Sequence, residues 1–156
     1  MATHAILILR LVLGVIFVYA AYTKLKESYT LFAISIDSYR ILPPDAVFAV
    51  ARTLPWVELA IGVWLLAGWR VAPAAIASTA ILGGFFSMML FAYGRGMTID
   101  CGCFGLGEAI SWKTLLRDGA MVCASAMLAI LAWSNSGKSR DTAPLDATDV
   151  QAGLLT

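Results

Sequence analysis

Charge is what this chain has least of. Only 13% of its 156 residues are Asp, Glu, Lys or Arg, where soluble domains carry about a quarter, and 60% are hydrophobic. With a mean hydropathy of +0.82, a water-facing surface cannot be assembled, so the chain is expected in a bilayer. The formal net charge of +1 offers no basic field for nucleic acid. One histidine, His4, and three cysteines are too few for a disulfide-stapled scaffold or a four-ligand zinc centre. No internal repeat is visible, and the length suits one domain.

Apolar sequence, by contrast, comes in long runs. A helix crosses the hydrocarbon with about 20 apolar residues, and four runs suffice: 5–22, 46–68, 71–93 and 114–133. The first contains Arg10, expected to reach back to the nearby headgroups. That internal charge, with no Lys or Arg ahead of it, argues against a cleaved signal peptide. The second run holds Arg52, Pro55 and Glu58; Pro55 should kink it and free backbone carbonyls near Glu58. In the third, Gly83-Gly84 should let another helix approach closely. The fourth opens on Arg117-Asp118 and carries Cys123, read as a small packing residue. Trp56, Trp69, Trp112 and Trp133 are expected near helix ends, in an aromatic belt.

Residues 24–45 are amphipathic, too polar to span, and suit an interfacial helix ended by Pro43-Pro44. Residues 135–156 form a polar tail expected to be disordered. The predicted fold is therefore all-α: an integral membrane four-helix bundle over 1–134, with an interfacial amphipathic helix between spans one and two.

Two of the cysteines stand in the polar break between spans three and four, Asp100-Cys101-Gly102-Cys103-Phe104-Gly105. A disulfide wants its Cα atoms about 5.5–6 Å apart. Gly102 can supply the turn that this spacing needs. A ring so small closes little loop entropy, so it would stabilise the fold little. It should also be strained and readily reduced. These properties suit a redox pair better than a staple, while a metal site of Asp100, both thiols and Glu108 is a weaker alternative.

Four spans place both termini on one membrane face and the cysteine loop on the other. By that parity Lys24, Glu58, Arg117 and Asp118 should gather under Cys101 and Cys103. Charges within the hydrocarbon are costly, and they pair or serve function. A nearby cation or helix N-terminus favours the thiolate, which gives Arg117 and Lys113 a part. Lys24, Glu58 and Asp118 can carry the protons of thiol chemistry. The plainer readings are a snorkelling Lys24 and an Arg117-Asp118 pair that simply anchors helix four.

The order of these features resembles the MauE family of DoxX/DoxD-like membrane proteins. It rests on Lys24 closing span one, Tyr39 with Leu42-Pro43, and Leu54-Pro55 followed by Glu58 and Gly62. Cys101-Gly102-Cys103-Phe104-Gly105, Trp112 and Arg117-Asp118 complete it. The resemblance implies a bacterial inner-membrane protein serving redox maturation of exported proteins, such as a methylamine dehydrogenase subunit. Its partner would be a thioredoxin-like periplasmic protein, and a quinone is a candidate electron acceptor. The chain would be a thiol–disulfide oxidoreductase or an electron-transfer subunit. The alternatives are a non-catalytic assembly or transport subunit with a structural cysteine pair, and a DoxD-like quinone oxidoreductase subunit acting on a small sulfur compound. No second cysteine pair exists for an internal relay. Loop cations leave the orientation open; the resemblance and the rarity of stable cytosolic disulfides put the cysteine loop in the periplasm.

Overall fold

Residues 2–97 and 109–141 are described by a computed structural model, which makes five helices of them. These are α1 (Ala2–Lys26), α2 (Tyr29–Ser38), α3 (Pro44–Ala67), α4 (Val71–Gly94) and α5 (Trp112–Asp141). All but the short α2 are long and apolar enough to cross a membrane. At 1.5 Å per residue, 24 residues reach about 36 Å, more than the hydrocarbon thickness. The chain is a multi-pass membrane protein built as a four-helix bundle, with α2 added at one end.

Local chemistry sets the boundaries. The amphipathic stretch stops at Ser38, before its prolines, where the Tyr39 N–H bonds back to the Ile36 carbonyl and Arg40 takes φ 50°. Pro43 and Pro44 instead launch α3, as its N-cap and first residue; there a missing N–H costs nothing. Gly68 ends α3 at φ 75°, its N–H on the Trp64 carbonyl, the left-handed cap that glycine makes most easily. Ser111 and Thr114 cap α5 reciprocally: Thr114 N–H donates to Ser111 Oγ (3.3 Å) and Ser111 N–H to Thr114 Oγ1 (2.8 Å). α5 continues to Asp141, past residue 135 where the polar tail was expected to begin; residues 142–156 lie outside the described residues.

The helices pack as two close pairs, α1 with α3 and α4 with α5. Lipid gives helices no hydrophobic reason to associate, so fit and hydrogen bonds must hold them. The α1/α3 seam is a glycine contact. A Cβ on Gly62 would stand 2.9 Å from the Val18 nitrogen and 3.0 Å from the Gly14 carbonyl oxygen. Gly83 and Gly84, the pair expected to do this, have nothing among the described residues within 4 Å of such a Cβ. The α4/α5 seam is polar: Ser125 Oγ lies 2.8 Å from Ser78 Oγ and 2.7 Å from Thr79 Oγ1. Leu13, Phe17, Ile61, Leu65, Ala74, Ala75 and Leu128 fill the centre, while Ile8, Val12, Val15 and Ile130 face outward, as lipid allows. α2 lays Phe32, Ala33 and Ile36 against Val47 and Ala51 of α3.

Candidate functional site

The cysteine loop, with Cys101 and Cys103, lies outside the described residues, and so does the Asp100/Glu108 metal alternative. What can be built is the ground beneath it. The loop joins the C-terminus of α4 to the N-terminus of α5, and at that end Tyr39, Met89, Ala92 and Ile110 pack together. Cys101 is four residues beyond Met97, so its Cα stays within about 14 Å of the Met97 Cα.

Under this end sits a buried ion pair. Lys24 Nζ donates to both oxygens of Glu58 at 2.9 Å, with the two side chains 1% and 6% exposed. Lys24 is two residues from the end of α1, where a lysine ordinarily turns outward to the headgroups. Here it turns inward. Glu58 lines a cavity with Ala20 and Phe17, about one turn deeper along α1 than Lys24. Phe32 of α2 covers the ammonium, its ring centroid 5.5 Å from Nζ, a cation–π contact that a desolvated amine makes well. The snorkelling reading of Lys24 is thereby replaced by a pair that bridges α1 and α3.

The second carboxylate comes from α5. Asp118 is 5% exposed and accepts a bond from the Nε of its neighbour Arg117 at 3.1 Å. Its other oxygen, Oδ2, is buried with no hydrogen-bond partner among the described residues. Asp118 and Glu58 face the same cavity of about 30 Å³ among α1, α3, α4 and α5. The rest of its wall is apolar: Ile16, Phe17, Phe85, Phe86, Met89 and Met121 among others. Lys24, Glu58, Arg117 and Asp118 thus occupy one end of the bundle, below the loop that carries Cys101 and Cys103.

On the outer side of the ion pair a larger hollow of about 450 Å³ is lined by Lys24, Glu27, Tyr29, Arg52, Pro55 and Trp56, among others. Pro55 sits within a continuous α3, and the carbonyl it deprives of a donor is that of Ala51, four residues back. Ala51 lines this hollow. Ala51 itself is buried, at 2% exposure, in the α2/α3 contact. Trp56, expected at a helix end, stands midway along α3 on the same wall.

The remaining candidates are scattered. Arg10 is at the opposite end, its guanidinium against Gly68, where a Cβ would run into it. It faces the C-terminus of α3, where a cation is favoured. Lys113 lies over the Trp112 ring, Nζ 5.8 Å from the centroid. Cys123 is a free, exposed thiol on α5, outside the buried core where a packing cysteine would be found. Among the described residues no group of His, Cys, Asp and Glu is arranged to hold a metal.

Residues 2–133 match the family model of methylamine utilisation protein MauE. A curated relative from Paracoccus denitrificans, a methylamine utilization protein MauE, is 38% identical over 78% of this chain and 66% of its own length. One from Paracoccus versutus is 35% identical over 94% of the chain and 76% of the relative. Another from Methylorubrum extorquens is 30% identical over 72% and 61%. The chain therefore spans about two thirds of the length of the first of these relatives. No solved structure matches it.

Proposed function

The chain belongs to the methylamine utilisation protein MauE family, and from that premise we propose that it is a membrane thiol–disulfide redox protein. Cys101 and Cys103 cycle between dithiol and disulfide with a thioredoxin-fold partner outside the membrane, in support of exported proteins used in methylamine utilisation. The observation that carries this reading is the buried Lys24–Glu58 pair with Asp118, set at the end of the bundle where the cysteine loop attaches.

In the exchange, one cysteine thiolate attacks a sulfur of the partner's disulfide and forms a mixed disulfide. The second cysteine attacks that bond and releases the partner. Two electrons leave the cysteine pair for the partner, and the two protons lost by Cys101 and Cys103 balance those taken up by the partner's thiols. The pair is reset by the reverse exchange with a dithiol of an exported client, which ends oxidised. Asp118 and Glu58 hold and pass the protons, and Arg117 fixes Asp118. No electron step is assigned to a quinone, although the phenylalanine and methionine walls of the cavity have a suitable character.

Alkylation of intact cells with a membrane-impermeant thiol reagent tests the reading. Cys101 and Cys103 should be protected in oxidising cells and labelled in a strain lacking its disulfide-forming system, which also fixes their side of the membrane. Cys101→Ser should stop client oxidation at unchanged protein level. Loss of protein with normal activity per molecule would instead assign the cysteines a structural role in an assembly subunit.

A further inference from the structure

The Lys24–Glu58 pair is a partition as well as a bridge. Its lysine lines the outer vestibule of about 450 Å³, and its glutamate lines the inner cavity of about 30 Å³. The vestibule carries Lys24, Glu27, Tyr29 and Arg52 in a wall that is otherwise mostly apolar. Ala51, whose carbonyl Pro55 leaves without a helical donor, is among the residues that line it. The cavity is apolar apart from Glu58 and Asp118. A buried acceptor with no donor is costly, and Asp118 Oδ2 is one, with no partner among the described residues. The cavity has room for a water or two, but such a water needs polar partners to stay. The two carboxylates are the partners available.

We propose that the inner cavity holds ordered water between Asp118 and Glu58. With Lys24 this water forms a proton path from the vestibule to the base of the cysteine loop. Each link is a group that can give and take a proton: vestibule water, the Lys24–Glu58 pair, cavity water, then Asp118 steadied by Arg117. No electron moves along it and no bond between heavy atoms changes. The path deepens the redox reading by naming groups that take the thiols' protons as thiolates form and return them as the partner's thiols are made, yet it requires neither cysteine, so the two can fail separately.

Infrared difference spectroscopy of the full chain in lipid nanodiscs tests the path. On acidification a protonated-carboxyl stretch should appear in the wild type and be missing in Asp118→Asn. Transferred to D2O, that band should shift as fast as mixing allows. In Lys24→Met/Glu58→Leu, which removes both charges and keeps the volume, the shift should be roughly tenfold slower or more. A double Cys101→Ser/Cys103→Ser variant should exchange like the wild type. Two results overturn the proposal: no Asp118 band at any pH where the helices persist, or equally fast exchange in the Lys24→Met/Glu58→Leu variant. Should Asp118→Asn fail to fold, carbodiimide labelling of the wild type replaces it. Labelled Asp118, found by peptide mass spectrometry, supports a carboxyl that takes up protons, and unlabelled Asp118 beside other labelled carboxyls overturns it.

Discussion

Replacing Lys24 with Met leaves the Glu58 carboxylate buried at 4% exposure with its ammonium gone. At 2.9 Å and an effective dielectric near 20, the direct attraction is roughly 6 kcal/mol, but desolvation of both ions offsets much of it. Removing one partner of such a pair costs about 3–5 kcal/mol, whereas replacing both by apolar groups of similar volume is close to neutral. Lys24→Met and Glu58→Leu should therefore each be strongly destabilising, and the double variant should recover most of the loss. At about 2–4 °C per kcal/mol for a chain of this size, each single variant should melt roughly 6–20 °C lower in detergent. The assay is a double-mutant cycle by thermal unfolding, with the four proteins in the same micelle. A Lys24→Met variant as stable as wild type, or single effects that simply add, would show that the amine is solvated and the pair unimportant.

The glycine seam predicts that Gly62→Ala is destabilising by about 1–3 kcal/mol, since the Val18 backbone would have to move; the same melting assay reads it. Gly83→Ala and Gly84→Ala meet open space and should raise stability slightly, by up to about 1 kcal/mol of helix propensity. Lowered stability would show that something outside this chain packs there. Ser125→Ala removes the bonds to Ser78 and Thr79 and should cost about 0.6–1.7 kcal/mol for each bond lost, while Ser134→Ala, an exposed serine bonded only to its own helix, serves as the neutral control. Gly68→Ala forces an alanine to φ 75° and into Arg10; the left-handed position alone costs about 1–2 kcal/mol. Adding Arg10→Ala should recover only the steric part.

Hydropathy made the four spans legible, because a bilayer punishes an unpaired backbone group anywhere else. Chain parity then made the meeting of Lys24, Glu58, Arg117 and Asp118 at one end legible before any distance was known. Direction was not legible. Lys24 near a helix end reads as a residue that turns outward, and only the Phe32 lid from α2, with Glu58 one turn deeper, turns it inward. The glycine seam was misplaced for a related reason. Gly83-Gly84 announces itself as a pair, but a run of apolar residues does not say which side meets a neighbour. Gly14 and Gly62 are single residues on separate helices, and only their contact makes them a seam. Pro55 frees one carbonyl, that of Ala51, because the donor a proline lacks is the one its own nitrogen owes four residues back.

An ion pair buried in a membrane bundle is poor evidence of selection for stability, since apolar side chains of equal volume would hold α1 to α3 as well or better. The glycine contact between Gly14 and Gly62 already supplies that adhesion, about one turn from Glu58 along α3 and nearly three from Lys24 along α1. A pair beside it that shares a cavity with an Asp118 oxygen unpartnered among the described residues suits the proposed handling of protons better than the holding of helices. Thiol–disulfide exchange is a reaction that moves protons as well as electrons, and Cys101 is tethered within reach of this end by four residues. In the proposed path the order of parts ties the buried charges to the loop: the vestibule, then the ion pair, then the carboxyl of Asp118 on the helix that follows the loop. Were the same charges distributed along the lipid-facing sides of the helices, the cysteine pair would have to find its protons from bulk solvent alone, and nothing in the membrane part of the chain would bear on its chemistry.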